Sequence, residues 1–212
     1  YYLTMDFVQG EDLEQRLERE GRLPEAQVLE WADQVCDVLY YVHQKGLIYR
    51  DMKPSNIMLD QINGGIKVID FGIAKVFKPS ERGTQIGTPG YAPPEQYQGM
   101  ATQSSDIYAL AATLHHLLTG RDPTDHPPFS FLPARDVNIN VSRRTSDALQ
   151  KALSMQPEQR FGSMAEFRAM LRPLTSSQLS TPPAQPTQRA ARAVQPPQPR
   201  AQPRTPAQIP PQ

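Results

Sequence analysis

The chain has 212 residues, enough for one domain with a substantial core and a tail. Its 22 basic and 22 acidic side chains cancel, which argues against a dedicated nucleic-acid binder. The lone cysteine, Cys36, excludes an internal disulfide framework and a cysteine-built zinc site, and points to a reducing compartment.

The sequence opens on Tyr1 rather than Met, in an apolar, strand-like run (YYLTMDFV) with no turn or cap before it. It reads as the C-terminal part of something longer. Leu13 and Leu17 recur four residues apart and predict a short helix that ends at Gly21. Pro24 suits the first turn of a second helix, with Val28, Ala32, Val35, Leu39 and Val42 on its apolar stripe and Gly46 at its end. Trp31 and Cys36 are core residues of that helix. The apolar runs 57–59 and 66–69 flank QINGG and predict a hairpin. Residues 70–95 carry several Gly and Pro without a period, a loop long enough to need a function.

From Ser105, the spacing of Ile107, Leu110, Leu114 and Leu117 predicts a strongly apolar helix stopped by Gly120. His115 and His116 are adjacent on it and point roughly 100° apart, so they do not make a metal site. Loop material runs to about residue 141, followed by helices near 142–154 and 163–172 capped by Ser142 and Ser163. Residues 182–212 hold 10 of the 22 prolines, seven glutamines, four arginines and no acid. We therefore expect a folded domain over 1–174 and a disordered Pro/Gln/Arg-rich tail over 175–212, either a spacer or a docking segment. No apolar run is long enough to span a bilayer, and a cytoplasmic location is expected, free or as part of a membrane-anchored protein.

The chemistry concentrates in YRDMKPSNIMLD (49–60) and VIDFG (68–72). These segments put Asp51, Lys53, Asn56 and Asp70 on two tight turns joined by a hairpin. A carboxylate plus an amide oxygen suits Mg²⁺, which binds few protein groups alongside substrate phosphates. A second carboxylate can accept a hydroxyl proton, and a lysine can neutralise charge on a transferring group. The set suits phosphoryl transfer from a nucleotide to an alcohol.

The spacing R-D-x-x-x-x-N followed by D-F-G resembles the protein-kinase signature. GTPGYAPPE (87–95) resembles that family's substrate-binding loop and A-P-E element, with Pro93 where Ala is usual. SDIYALAATLHHLLTGRDP (105–123) resembles its central C-lobe helix, and PEQRF (157–161) its late arginine motif. The resemblance covers about residues 1–172 and is nearest to bacterial, eukaryotic-like Ser/Thr kinases. It implies an α+β kinase-like C-terminal lobe, mainly helical with short β-hairpins. No G-x-G-x-x-G occurs in the chain, so the N-terminal lobe is expected to be missing and the isolated chain to be inactive or weakly active.

The resemblance also implies roles. Asp51 is the base and Lys53 a γ-phosphate contact, with Asn56 and Asp70 holding Mg²⁺. Tyr49 stands where His is commoner and packs on Phe71. Arg50 pairs with an activation-loop phosphate, with Thr84 the first candidate and Ser80 the second. Thr88 bonds the base and the lysine. Glu95 pairs with Arg160, and Asp106 ties down the catalytic-loop backbone. Met5 gates the nucleotide pocket, the Asp6 carbonyl and Val8 amide bond adenine, Asp12 reaches the ribose, and Met58 floors the pocket. ATP, Mg²⁺ and a Ser/Thr-bearing protein substrate follow as cofactors and partner. Two alternatives stay open: a pseudokinase or scaffold binding through the C-lobe and tail, and a small-molecule kinase. The intact Asp51, Lys53, Asn56 and Asp70 argue against the first, and GTPGYAPPE against the second.

Overall fold

The helix expected from Ser105 is the axis of the structure. The computed structural model describes residues 7–62, 64–71 and 87–172. Met5, Asp6, Ser80, Thr84 and the tail expected over 175–212 lie outside these residues. The axial helix, α4 (Gln103–Thr119), begins two residues earlier than its apolar period implies, because the Thr102 N–H donates to the Ser105 hydroxyl (3.0 Å). Every side chain from Ser105 to Thr119 is buried. A helix sheathed on all sides needs no polar face, which is why Ala and Leu dominate it.

The sheath follows from capping and apolar stride. A short strand, β1 (Gly10–Asp12), runs into α1 (Leu13–Glu20), where Asp12 Oδ1 accepts the Gln15 N–H (2.8 Å) and Leu13 and Leu17 are buried. Next, α2 (Glu25–Gln44) buries Val28, Trp31, Ala32, Val35, Cys36, Leu39 and Val42, the expected stripe plus its two inferred core members. Burial pushes the Cys36 thiol up to about 12, so it is a core side chain without thiolate chemistry. The hairpin forms as β2 (Ile57–Asp60) and β3 (Ile66–Val68), and β1 adds to it in the antiparallel order β1-β2-β3.

Short elements follow at α3 (Pro94–Tyr97), which begins at the end of the stretch read as loop, and at α5 (Ala134–Val137), inside another. Finally α6 (Arg143–Ala152) and α7 (Met164–Leu171) form behind their serine caps: Ser142 accepts from Thr145 N–H and Ser163 from Glu166 N–H. α2, α5, α6 and α7 all pack on α4. The α2–α7 seam is closed by Arg168, which forks onto Asp33 (2.6 Å) and also pairs with Asp37, while Arg172 reaches Asp33 at 2.7 Å. Among the described residues no helix is long and apolar enough to cross a membrane.

Candidate active site

The segment Tyr49–Asn56 enters the site in an uncommon conformation. Arg50 has φ 71°, the left-handed region, which costs a non-glycine residue about 1–2 kcal/mol. The turn is over-determined by its neighbours. Fully buried Asp106 accepts the Tyr49 N–H on Oδ2 (2.9 Å) and the Arg50 N–H on Oδ1 (2.8 Å), and its Oδ2 lies 2.7 Å from His43 Nε2. From the other side the buried Gln96 amide donates to the Arg50 carbonyl (2.7 Å). The expected anchoring role of Asp106 thus has a geometric basis. Among the described residues the buried Arg50 Nε has no hydrogen-bond partner.

Asp51 lies one residue past that turn. Its Oδ1 accepts the Thr88 hydroxyl (2.7 Å) and its Oδ2 the Asn56 amide (3.2 Å), with Lys53 Nζ 4.0 Å from Oδ2. The same amide nitrogen also donates to the Asp51 carbonyl (2.7 Å). With the nitrogen committed, the amide oxygen is the atom Asn56 can offer to a cation. The Ile69 N–H donates to the Asn56 carbonyl (3.0 Å), so the residue before Asp70 is fixed to the segment that carries Asn56. Asp70 itself has φ 52°. The Tyr49 hydroxyl donates to the Ile69 carbonyl, and its ring meets Phe71 edge-on at 5.4 Å. Burial pushes this phenol well above its ordinary range, and the charges of Asp51, Asp70 and Asp106 add to that. Asp51 and Asn56 are therefore bonded to each other, and the backbone just before Asp70 is bonded to Asn56, which brings the three residues close together along the chain path. A carboxylate and a carboxamide oxygen are the donor chemistry a hard divalent cation takes.

On the strand side, Asp12 and Met58 are Cα partners in the β1–β2 register, so the residues expected at the ribose and under the adenine stand side by side. Asp12 is also the cap of α1. Val8 is half-buried just before β1.

The loop after residue 87 closes the site. Glu95 Oε1 and Oε2 receive the Arg160 fork at 2.6 and 3.0 Å, and Ser105 also donates to Oε1 (2.8 Å). Arg160 further donates to the carbonyls of Ser104, Ser154 and Met155 and lies over the Tyr108 ring. Burial alone would raise the Glu95 carboxyl, but the bonds from Arg160, the backbone and Ser105 outweigh it and hold it below its usual value. At Gly90 (φ +85°) a Cβ would come within 2.9 Å of the Pro123 backbone, so only glycine lets the loop lie this close to the residues after α4.

Two contacts in this region were not anticipated. Gln96 bridges the loop to Arg50, and the Tyr91 hydroxyl lies 2.7 Å from His116 Nδ1. Both join residues far apart in sequence, and neither follows from spacing. The one available signal was a histidine pair in an otherwise apolar helix.

A family model described as "Protein kinase domain" matches residues 1–170. The chain belongs to the protein kinase family. Serine/threonine-protein kinase F of Synechocystis sp. is 36% identical over 194 residues, covering 86% of this chain and 38% of that protein. Serine/threonine-protein kinase PknB of Mycobacterium leprae is 35% identical over 185 residues, covering 80% of this chain and 30% of that protein. The crystal structure of the Mycobacterium tuberculosis PknI kinase domain superposes with a TM-score of 0.67 at 34% identity, covering 79% of this chain and 63% of that one. The chain thus spans 30–38% of the length of these two curated relatives. The fold is protein-kinase-like, with helices and sheet mixed.

Proposed function

We propose that the protein transfers the terminal phosphoryl group of ATP to serine or threonine hydroxyls of proteins, as the names of its bacterial relatives describe for them. The observation that carries this reading is the Asp51 carboxylate. It is bracketed by Thr88, Asn56 and Lys53 on a backbone turn that Asp106 and Gln96 hold from two sides. A carboxylate held this way orients the attacking hydroxyl and accepts its proton. Lys53 offsets negative charge on the group in transfer. Asn56, through its amide oxygen, and Asp70 are the residues that would hold Mg²⁺. When bound, that ion would supply neutralisation of the phosphates' charge. Asp12 and Met58 fit the ribose and adenine ends, and the family resemblance assigns Met5, Asp6 and Val8 to the same nucleotide pocket.

Arg50 fits a regulatory part. Its buried Nε, without a hydrogen-bond partner among the described residues, suits a phosphate on Thr84, or on Ser80, to which it would donate a charge-assisted bond. The domain is read as residues 1–174 and the remainder as a tail. No G-x-G-x-x-G occurs in the 212 residues, so these residues work in concert with a phosphate-covering lobe and by themselves turn over weakly or not at all.

The test uses the protein as its gene expresses it, with γ-labelled ATP, Mg²⁺ and a Ser/Thr-rich protein acceptor. Asp51→Asn and Asp70→Asn are each expected to lower transfer by about 10²–10⁴-fold with the fold retained. Transfer in either variant at the wild-type rate overturns the assignment.

A further inference from the structure

Gln96 follows Glu95 on α3 and is fully buried. Its side-chain amide is where three segments meet. Nε2 donates to the Arg50 carbonyl (2.7 Å). Gly87 lies against the same nitrogen: at its φ of +116° a Cβ would come within 2.6 Å of Nε2 and 2.7 Å of the Ala92 Cβ, so only glycine leaves the amide this room. The third segment is α3 itself, which the Glu95–Arg160 pair seats.

The other half of the amide makes no use of its chemistry. Gln96 Oε1 is buried and, among the described residues, has no hydrogen-bond partner. A buried amide oxygen without a donor costs stability, which an apolar side chain of the same length would not. Packing therefore does not account for a glutamine at this position, whereas the N–H that reaches Arg50 does.

The peptide geometry shows what that N–H controls. The two N–H groups that Asp106 accepts, those of Tyr49 and Arg50, belong to the peptide units before the Arg50 Cα. The Arg50 carbonyl belongs to the unit after it, the one that ends on the Asp51 Cα. Arg50 is in the left-handed region (φ 71°), where a non-glycine side chain is strained and the following unit needs a hold of its own. Asp106 fixes the entry to the turn, and Gln96 fixes its exit.

We propose that Gln96 is a positioning residue for phosphoryl transfer: by holding the Arg50 carbonyl it sets the plane of the Arg50–Asp51 peptide and with it the aim of the Asp51 carboxylate. This rests on the phosphoryl-transfer reading above, in which Asp51 orients the hydroxyl and receives its proton. Gln96 and the Thr88 hydroxyl, which donates to Asp51 Oδ1, then tie the acceptor loop to the base at two points, one on the backbone and one on the carboxylate.

The test uses the protein as its gene expresses it, with γ-labelled ATP, Mg²⁺ and a Ser/Thr-rich protein acceptor. Gln96→Met and Gln96→Leu differ in shape, and both lack the donor. Each is expected to lower kcat about tenfold, the worth of one hydrogen bond, and to leave KM for ATP in place. The urea midpoint should move little, because the lost bond is offset by removal of the idle oxygen. The second arm repeats Gln96→Met in the Asp51→Asn background by single-turnover transfer. If Gln96 acts through Asp51, the residual rate should change by under about twofold there. A wild-type kcat in either variant, a loss in only one of them, or a tenfold loss that persists in the Asp51→Asn background overturns the proposal alone. Absence of transfer by the wild type removes the phosphoryl-transfer reading and the proposal with it.

Discussion

Asp106 collects three polar partners on one fully buried carboxylate, and two of them are consecutive backbone N–H groups at a left-handed residue. The energetics are asymmetric. Each satisfied bond adds only about 1 kcal/mol net, but each buried donor left without an acceptor costs about 1–3 kcal/mol. Asp106→Ala leaves the Tyr49 and Arg50 N–H groups and His43 without their acceptor and releases the turn that aims Asp51. We expect a loss of about 3–5 kcal/mol, read as a lower urea midpoint, together with loss of transfer. Asp106→Asn keeps one acceptor oxygen and should lose about half as much. Equal midpoints for wild type and Asp106→Ala would show that the backbone turn holds itself.

The elements show which parts of the architecture were legible in the sequence. Helices α1, α2, α4, α6 and α7 were readable because each combines an apolar stride with a cap or a terminating glycine, as Ser142 and Ser163 do by accepting the expected N–H groups. Helices α3 and α5 were not readable, since four residues are too few to display a 3.6-residue period. The pairing of β1 with β2 was also hidden: Gly10 meets Asp60 across the fold, and local pattern says nothing about such partners. In the candidate site, Asp51, Lys53, Asn56 and Asp70 stand out in the sequence because chain neighbours carry the motif. Gln96 and His116 do not, because tertiary packing alone defines their partners.

The Glu95–Arg160 pair is legible and long-range at once, and it joins α3 to the segment before α7 and to α4 through Ser105. Its energetics follow from burial. Arg160 has a fully buried side chain, so Arg160→Met strands Glu95, and we expect a loss of about 3–5 kcal/mol by chemical denaturation. The pair also sets a pH dependence. The folded state holds Glu95 below its ordinary 4.5, so the unfolded state binds the proton first as pH falls. The contribution is complete above 4.5 and is lost as pH drops through the folded value. Wild type and Glu95→Gln should therefore differ in urea midpoint at pH 7 and converge towards pH 3. A gap that stays constant with pH would assign the effect to packing rather than charge.

Across the whole molecule, the parts of a phosphotransfer site are unevenly represented. Asp51, Asn56 and the loop from Thr88 to Glu95 are tied together by hydrogen bonds, whereas no G-x-G-x-x-G occurs in the 212 residues. On the function proposed above, ATP would meet this chain through β1, β2 and the two acidic turns. The proposal therefore predicts weak binding with a dependence on Asp70. A ligand stabilises its protein by RT ln(1 + [L]/Kd), which at 1 mM and a Kd of about 1 mM is about 0.4 kcal/mol. For a chain of this size that is a Tm increase of about 1 °C. A Kd of about 20 μM would give about 2.3 kcal/mol and an increase of several degrees. Thermal unfolding of the 212-residue chain with 1 mM Mg²⁺-ATP should show no more than about 1 °C, and Asp70→Asn should abolish what there is. A shift of several degrees would mean that the described residues enclose the nucleotide without help, and the need for a covering lobe would fall while the Asp51 assignment stood.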